Sequence, residues 1–218
     1  MKITILGSCR QHSVIHDFET SQIHQILTYP HYSKEIIQTI EFCQTGNMMP
    51  EDTLYTFRTC LLYDIPIFFS KELYDEFNAD VYLVEIASKI EYVCNNKYVH
   101  HIAEDNVKYK DNVTKQIQTK DELEKDVIKI NDLLNKKCII ISHLVTRDTG
   151  ERYVLKCWLE EICNKHNILF IDPIKELSKE YNVNDLFEND QMFHYNENGE
   201  KAILKIYKDF INKLTVSI

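Results

Sequence analysis

Residues 1–10 read MKITILGSCR. The stretch 2–6 reads as a strand, and Gly7-Ser8-Cys9-Arg10 ends it abruptly before a helical stretch around 10–20. A strand, a tight turn and a helix form the opening unit of a wound α/β sheet. Gly7 permits the turn. The residue at position 9 is then pushed outward at the strand's carboxyl end, facing the positive pole of the following helix.

Working outward, three continuous apolar runs match strands buried in a parallel sheet: VYLVEI at 81–86, CIIIS at 138–142 and ILFI at 168–171, the last closed by Asp172-Pro173. A further strand is predicted at 24–29 (HQILTY), stopped by Pro30. Helical periodicity predicts a helix over 34–45, with Ser33 as N-cap, Ile36, Ile37, Ile40 and Cys43 on its apolar face, and Gly46-Asn47 ending it. Others are predicted from 119 or 120 to 135, over 149–166, and from 197 to 214 behind Asn196 as N-cap. The alternation implies one α/β domain over 1–218: a three-layer α/β/α, doubly wound, flavodoxin-like parallel sheet of about five strands in the order 2-1-3-4-5. Residues 47–79, with a helix near 70–77, read as an insertion or a wall of the site; the tyrosine-rich, polar stretch 92–118 reads as a lid loop.

Ligands of such sheets bind beyond the carboxyl ends of the strands. There the sequence supplies Ser8, Cys9 and Arg10, then His31, Tyr32 and Ser33, then Ser88 and Lys89, then His143, and last Asp172. A cysteine at a helix N-terminus is a candidate nucleophile, because the dipole lowers its pKa and free amides can hold an oxyanion. At the other end of the chain, DQMFHYNENG (190–199) places Asp190 and His194 on a loop before the last helix, from which a histidine can reach over the sheet to Cys9. Arg10, Lys89 and Arg147 are candidate phosphate ligands.

Composition narrows the classes. The net charge of −9 argues against nucleic acid and anionic membranes as partners. No apolar run is long enough to span a bilayer, and the N-terminus lacks a signal-peptide pattern. Seven cysteines, an odd number without a CxxC pair, suit a reducing compartment, so a cytoplasmic location is expected. His100-His101 has no acidic or cysteine partner at zinc spacing, and no metal is expected. The first turn lacks GxGxxG, which disfavours a Rossmann cofactor.

These blocks resemble the SGNH (GDSL-like) hydrolases and acyltransferases. Leu6-Gly7-Ser8-Cys9 is similar to that superfamily's first block, with Cys9 in the nucleophile's place. Residues 190–199 are similar to its last block, and VYLVEIAS, IIISHL and FIDPIKEL resemble its inner strands. Cysteine in that place resembles two branches: the GSCFA proteins, and the WcbI-like proteins of capsular polysaccharide biosynthesis, which bind coenzyme A. The resemblance implies acyl transfer to a sugar rather than bulk lipid hydrolysis. Departures are visible. Asp190 and His194 stand one residue further apart than Asp-x-x-His, so Glu188 or Asp172 are alternatives for orienting the histidine. The family's oxyanion glycine is replaced around His31-Tyr32-Ser33, and its Gly-x-Asn block by Ala87-Ser88-Lys89, leaving Ser88 as an oxyanion donor. Ser8 is the alternative nucleophile. The function expected is acetyl-CoA-dependent transfer to a hydroxyl or amine of a sugar or nucleotide sugar. An esterase or deacetylase, and a non-catalytic binding module, are the alternatives.

Overall fold

The computed structural model describes residues 1–12, 18–27, 29–188 and 194–217, and for Cys9, His12, His24 and Ser217 the backbone alone. The chain runs through β1 (Lys2–Leu6), α1 (Cys9–His12), β2 (Glu19–Thr20), α2 (Ile23–Ile26), α3 (Ser33–Thr45), α4 (Pro50–Thr56), α5 (Arg58–Tyr63), α6 (Lys71–Phe77) and β3 (Val81–Ile86). Then come β4 (Ile90–Cys94), β5 (Lys97–Tyr98), 3-10 turns at His101–Glu104 and Lys110–Asn112, and β6 (Thr114–Ile117). The last part holds α7 (Lys120–Leu133), β7 (Cys138–Ser142), α8 (Glu151–His166), β8 (Leu169–Ile171), α9 (Pro173–Leu177), a 3-10 turn at Val183–Leu186 and α10 (Glu197–Ser217).

Among the described residues the main sheet has five parallel strands in the order β2-β1-β3-β7-β8. Leaving out the strands of the small second sheet, this is the predicted 2-1-3-4-5. Every residue of β3 and β7 is buried, as strands covered on both faces require. Alternation sorts their side chains into two cores. Tyr82, Val84, Ile86, Cys138 and Ile140 pack against α3, α7 and α8. Val81, Leu83, Ile139 and Ile141 pack against Ile203, Tyr207 and Ile211 of α10. Each such residue is worth about 1.5–3 kcal/mol in apolar burial, so these two faces fix the register of the central strands. The architecture is a three-layer α/β/α sandwich. Among the described residues no helix is long and apolar enough to cross a membrane.

Local signals explain the helix ends. Thr119 and Glu122 form a reciprocal capping box at the start of α7. Asp172 caps α9 ahead of Pro173, and the Asn196 side chain accepts the Gly199 amide at the start of α10. Gly46 closes α3 in the left-handed conformation at φ 65.

Four expectations need correction. The described residues of 24–29 form no strand: the second strand of the sheet is the two-residue β2, and Ile23–Ile26 is helical. The reason is spacing. Ile23 and Leu27, four apart, are the pair buried in the core, and Ser21 Oγ accepts the Ile23 amide at the helix start. The helix expected around 10–20 is described as α1 only to His12, and Glu19 and Thr20 pair with β1. Ser33 is not the N-cap of α3; Tyr32 is, without a side-chain bond, and Ser33 is the first helical residue. Finally, 92–118 is not a lid loop. It holds most of a three-stranded antiparallel sheet, β5-β4-β6. Asn95 and Asn96, both at positive φ, make the tight turn joining β4 and β5. All four residues of β6 are exposed, so apolar patterning carries no trace of that strand.

Candidate active site

The site is built where β1, β3 and β7 end. Glu85 is the fifth residue of β3 and only 1% exposed, a carboxylate inside an otherwise uncharged strand. Gly7 makes room for it: a Cβ at position 7 would lie 2.6 Å from Glu85 Cβ. Close approach, and not a left-handed backbone, therefore calls for glycine here. One carboxylate oxygen, Oε2, accepts the Ser8 amide at 2.8 Å. The other, Oε1, takes His143 Nδ1, also at 2.8 Å. Arg10 Nη1 lies 2.9 Å from the far ring nitrogen, Nε2 of His143.

The charges order these contacts. Burial disfavours the Glu85 anion, but His143, Ser8 and Arg10 outweigh it and hold the carboxyl at about 2. Burial also disfavours a charged imidazole at His143; Glu85 opposes this, Arg10 and Arg152 add to it, and the net direction is downward. An ionised Glu85 beside a neutral His143 means that Nδ1–H donates to the carboxylate, while Arg10 Nη1, 3.3 Å from Nδ1 as well as 2.9 Å from Nε2, lies over the ring rather than on the Nε2 lone pair. The result is a fixed acid–histidine pair with the Arg10 cation lying against the imidazole.

This cluster forms part of the wall of a cleft of about 300 Å³. Arg10, His31, Ser88, Lys89, His143 and Arg152 line it. Five of these were predicted from sequence at four different strand ends, and the fold brings them together. Lys89 Nζ pairs with Glu151 at 2.5 Å and lies over the Trp158 ring, and the exposed Arg152 is close enough to Arg10 for the two charges to repel. The cleft is thus locally cationic in a chain of net charge −9.

The remaining predicted residues fare differently. Ser8 is 4% exposed. The Cys9 backbone begins α1, directly after that turn. The Ser88 hydroxyl accepts the Ile90 amide at 2.9 Å and donates to the Ile90 carbonyl at 3.3 Å, so both of its bonds lie in a local turn. Ser33 is corrected as a binding residue: it is fully buried and bonded to Asp126 and Gln118, because the start of α3 packs on α7 and not on the cleft. His194 is exposed and absent from the cleft lining; its carbonyl accepts the Glu188 amide. Asp190 lies outside the described residues. Asp172 is spent on capping α9 and on an ion pair with Lys156 at 3.0 Å.

Sequence reasoning missed Glu85, Arg152 and the grouping of His31 with His100 and His101. The signal for Glu85 was present: a lone charge within VYLVEI, facing the same way as Gly7 across neighbouring strands. His31 contacts both His100 and His101 edge-on, at ring-centroid distances of 5.1 and 4.6 Å. No spacing rule joins residues 70 positions apart.

The family described as TviD N-terminal domain matches residues 1–107, which hold the β1 turn, Glu85 and all three of these histidines. Among solved structures, a lipase/acylhydrolase from Enterococcus faecalis is similar at 13% identity, with 97% of this chain and 96% of that chain covered and a TM-score of 0.45. A catalytic mutant of an acetylxylan esterase from Geobacillus stearothermophilus is similar at 11% identity, with 96% and 93% covered and a TM-score of 0.42. A comparison with curated proteins finds no match.

Proposed function

We propose that the chain is an acyltransferase that moves an acetyl-sized acyl group from a coenzyme A thioester to a hydroxyl or amine of a sugar. The observation that carries this reading is the buried Glu85–His143 pair with Arg10 against the imidazole, set beside the turn that carries Cys9. Two charge-assisted bonds fix the carboxylate, and through it the tautomer of His143, which is what a general base requires.

In the proposed reaction an anionic group of the donor draws Arg10 away from His143 Nε2. His143 takes the Cys9 thiol proton, and the sulfur attacks the acyl carbonyl. Arg10 and Arg152 supply the positive charge that the tetrahedral oxyanion needs. Collapse expels the coenzyme A thiolate, which receives the proton from His143. The acceptor hydroxyl then loses its proton to His143 and attacks the acyl-cysteine, releasing Cys9 and returning the proton to it. The Ser8 side chain lies under the turn, which favours Cys9 of the two candidate nucleophiles. The cationic lining favours a phosphate-bearing donor.

The test is thiol release from acetyl-CoA with a panel of sugars and nucleotide sugars. His143→Ala is expected to lose about 10²- to 10⁴-fold of the acceptor-dependent rate, the usual worth of a general base. His194→Ala runs beside it; an equal loss there moves the base to His194, as the sequence alone suggested. Rapid turnover of p-nitrophenyl acetate without any sugar effect makes the protein an esterase instead. No activity and no coenzyme A binding leaves only a binding module.

A further inference from the structure

His31, His100 and His101 form a second cluster on the same side of the molecule. Each offers a nitrogen within 4.8 Å of the other two. Their ring centroids stand 5.1, 4.6 and 4.2 Å apart. Three imidazoles on a tetrahedral ion at zinc–nitrogen distances have centroids about 5 Å apart and ligating nitrogens about 3.3 Å apart. The cluster is therefore within a side-chain adjustment of that arrangement. We propose that these three histidines bind one divalent transition-metal ion of the zinc class, leaving its fourth position open to the cleft, which His31 and His101 line.

The backbone holds two of the ligands in place. His31 donates its amide to Glu35 and accepts the amides of Ala87 and Ser88 on its carbonyl. His100 donates its amide to the Thr56 carbonyl and accepts the Ala103 amide. His100 is the observation that asks for a ligand. Its side chain is fully buried, and its Nε2 makes no hydrogen bond of normal geometry. Its Nδ1 accepts the Ile102 amide at a long 3.3 Å, and the Tyr29 carbonyl lies close enough to favour a ring proton. Metal ligation gives this ring a partner, at the cost of the long Ile102 bond and with a shift of the ring proton. Burial first, and then nearby arginines, push all three histidines below their ordinary range, with repulsion from neighbouring histidines adding at His31 and His100; His31 falls to about 3. They are thus neutral at pH 7, the form a metal takes. Three nitrogen ligands and no thiolate suit zinc, cobalt, nickel or copper rather than calcium or magnesium.

This site does not depend on acyl transfer, and its test reads metal rather than turnover. The chain is stripped with chelator, titrated with Zn²⁺ by calorimetry, and loaded with Co²⁺ for visible absorption. The expected result is one Zn²⁺ per chain and an intense tetrahedral Co²⁺ spectrum. His101→Ala and His31→Gln should each weaken binding at least as much as losing an outer-sphere partner, about 10- to 100-fold. His166→Ala, a histidine paired with Glu124 elsewhere on the molecule, should leave it unchanged. Circular dichroism checks that the variants fold; His101, being only part-buried, is the safer of the two. No stoichiometric binding by wild type overturns the proposal. So does binding that survives both cluster variants, or that is lost with His166→Ala.

Discussion

Replacing Glu85 by Gln keeps the shape of the side chain and removes its charge. The carboxylate now serves two donors, the Ser8 amide and His143 Nδ1, each at 2.8 Å. A carboxamide has one acceptor oxygen, so one of the two bonds is lost and an NH₂ group faces a donor in its place. A hydrogen bond to a charged group is worth about 1.5–3 kcal/mol, which is the expected loss of stability at pH 7. For a chain of this length each kcal/mol moves Tm by about 2–4 °C, giving a drop of about 3–12 °C. The pH dependence carries a second sign. Glu85 ionises at about 2 in the fold against an ordinary 4.5, so its stabilisation is complete above 4.5 and is lost as pH falls toward 2. Gln cannot titrate, so the gap between wild type and Glu85→Gln should narrow from pH 7 to pH 3. Thermal unfolding followed by circular dichroism at both pH values measures this. A variant within about 1 °C of wild type at pH 7, or a gap that widens in acid, refutes the account of the Glu85 bonds.

Gly7→Ala drives a Cβ to 2.6 Å from Glu85 Cβ; overpacking of this kind costs about 1–3 kcal/mol and should lower the urea midpoint, with the acyl-transfer rate falling too because His143 shifts with Glu85. Ser33→Ala removes bonds to Gln118 and Asp126, and should lower the unfolding free energy from urea titration by about 1 kcal/mol while leaving turnover unchanged. In iodoacetamide labelling with peptide mapping, Cys9 should react first: Cys43, Cys60, Cys94, Cys138 and Cys163 are buried, and burial pushes Cys60 up to about 11 and Cys138 to about 12. If Cys9 labels no faster than these, the thiol mechanism fails. Metal-free protein should lose stability as pH drops below 6.5, because His31 ionises at about 3 in the fold and its unfolded form takes the proton first. His31→Gln should flatten that slope, and the difference between the two proteins cancels the opposite contribution of Glu35, which burial raises to about 8.

The sheet was legible because its inner strands are continuous apolar runs. Residues 81–86 and 138–142 bury every side chain, so tertiary packing and local pattern agree. Caps were legible where a short side chain acts on its own helix, as with Asn196 on Gly199. Ser33 shows the limit of that rule. Its place before an apolar face reads as a cap, but Asp126 and Gln118 of distant segments claim its hydroxyl. The 92–118 stretch was misread because β4 and β6 are held by backbone pairing, with a fully exposed β6 that leaves no periodic signature. Its one local clue was Asn95-Asn96, a pair that tolerates the left-handed turn.

The site divides along the same line. Arg10, Ser88, Lys89 and His143 were legible because a wound sheet places every strand's carboxyl end at one edge, so position along the chain suffices to nominate them; His31 was nominated from a strand expected at 24–29, where the structure has the helix α2. What organises them was not. Glu85 lies inside a strand, where apolar continuity is read and a single charge is easily discounted. Gly7 was read as a turn residue, a local explanation sufficient in itself. Yet parallel pairing puts Leu6 beside Val84, and therefore Gly7 next to Glu85. A glycine with no side chain and a carboxylate with no room are one fact seen from two strands. A buried charge costs several kcal/mol unless it is paired, so Glu85 in that position implies donors close by. The Ser8 amide and His143 are those donors, with the Arg10 charge close by, and Ser8 and Arg10 flank Cys9. Pairing the strands first and asking next what each buried charge must touch would have found the site from register alone.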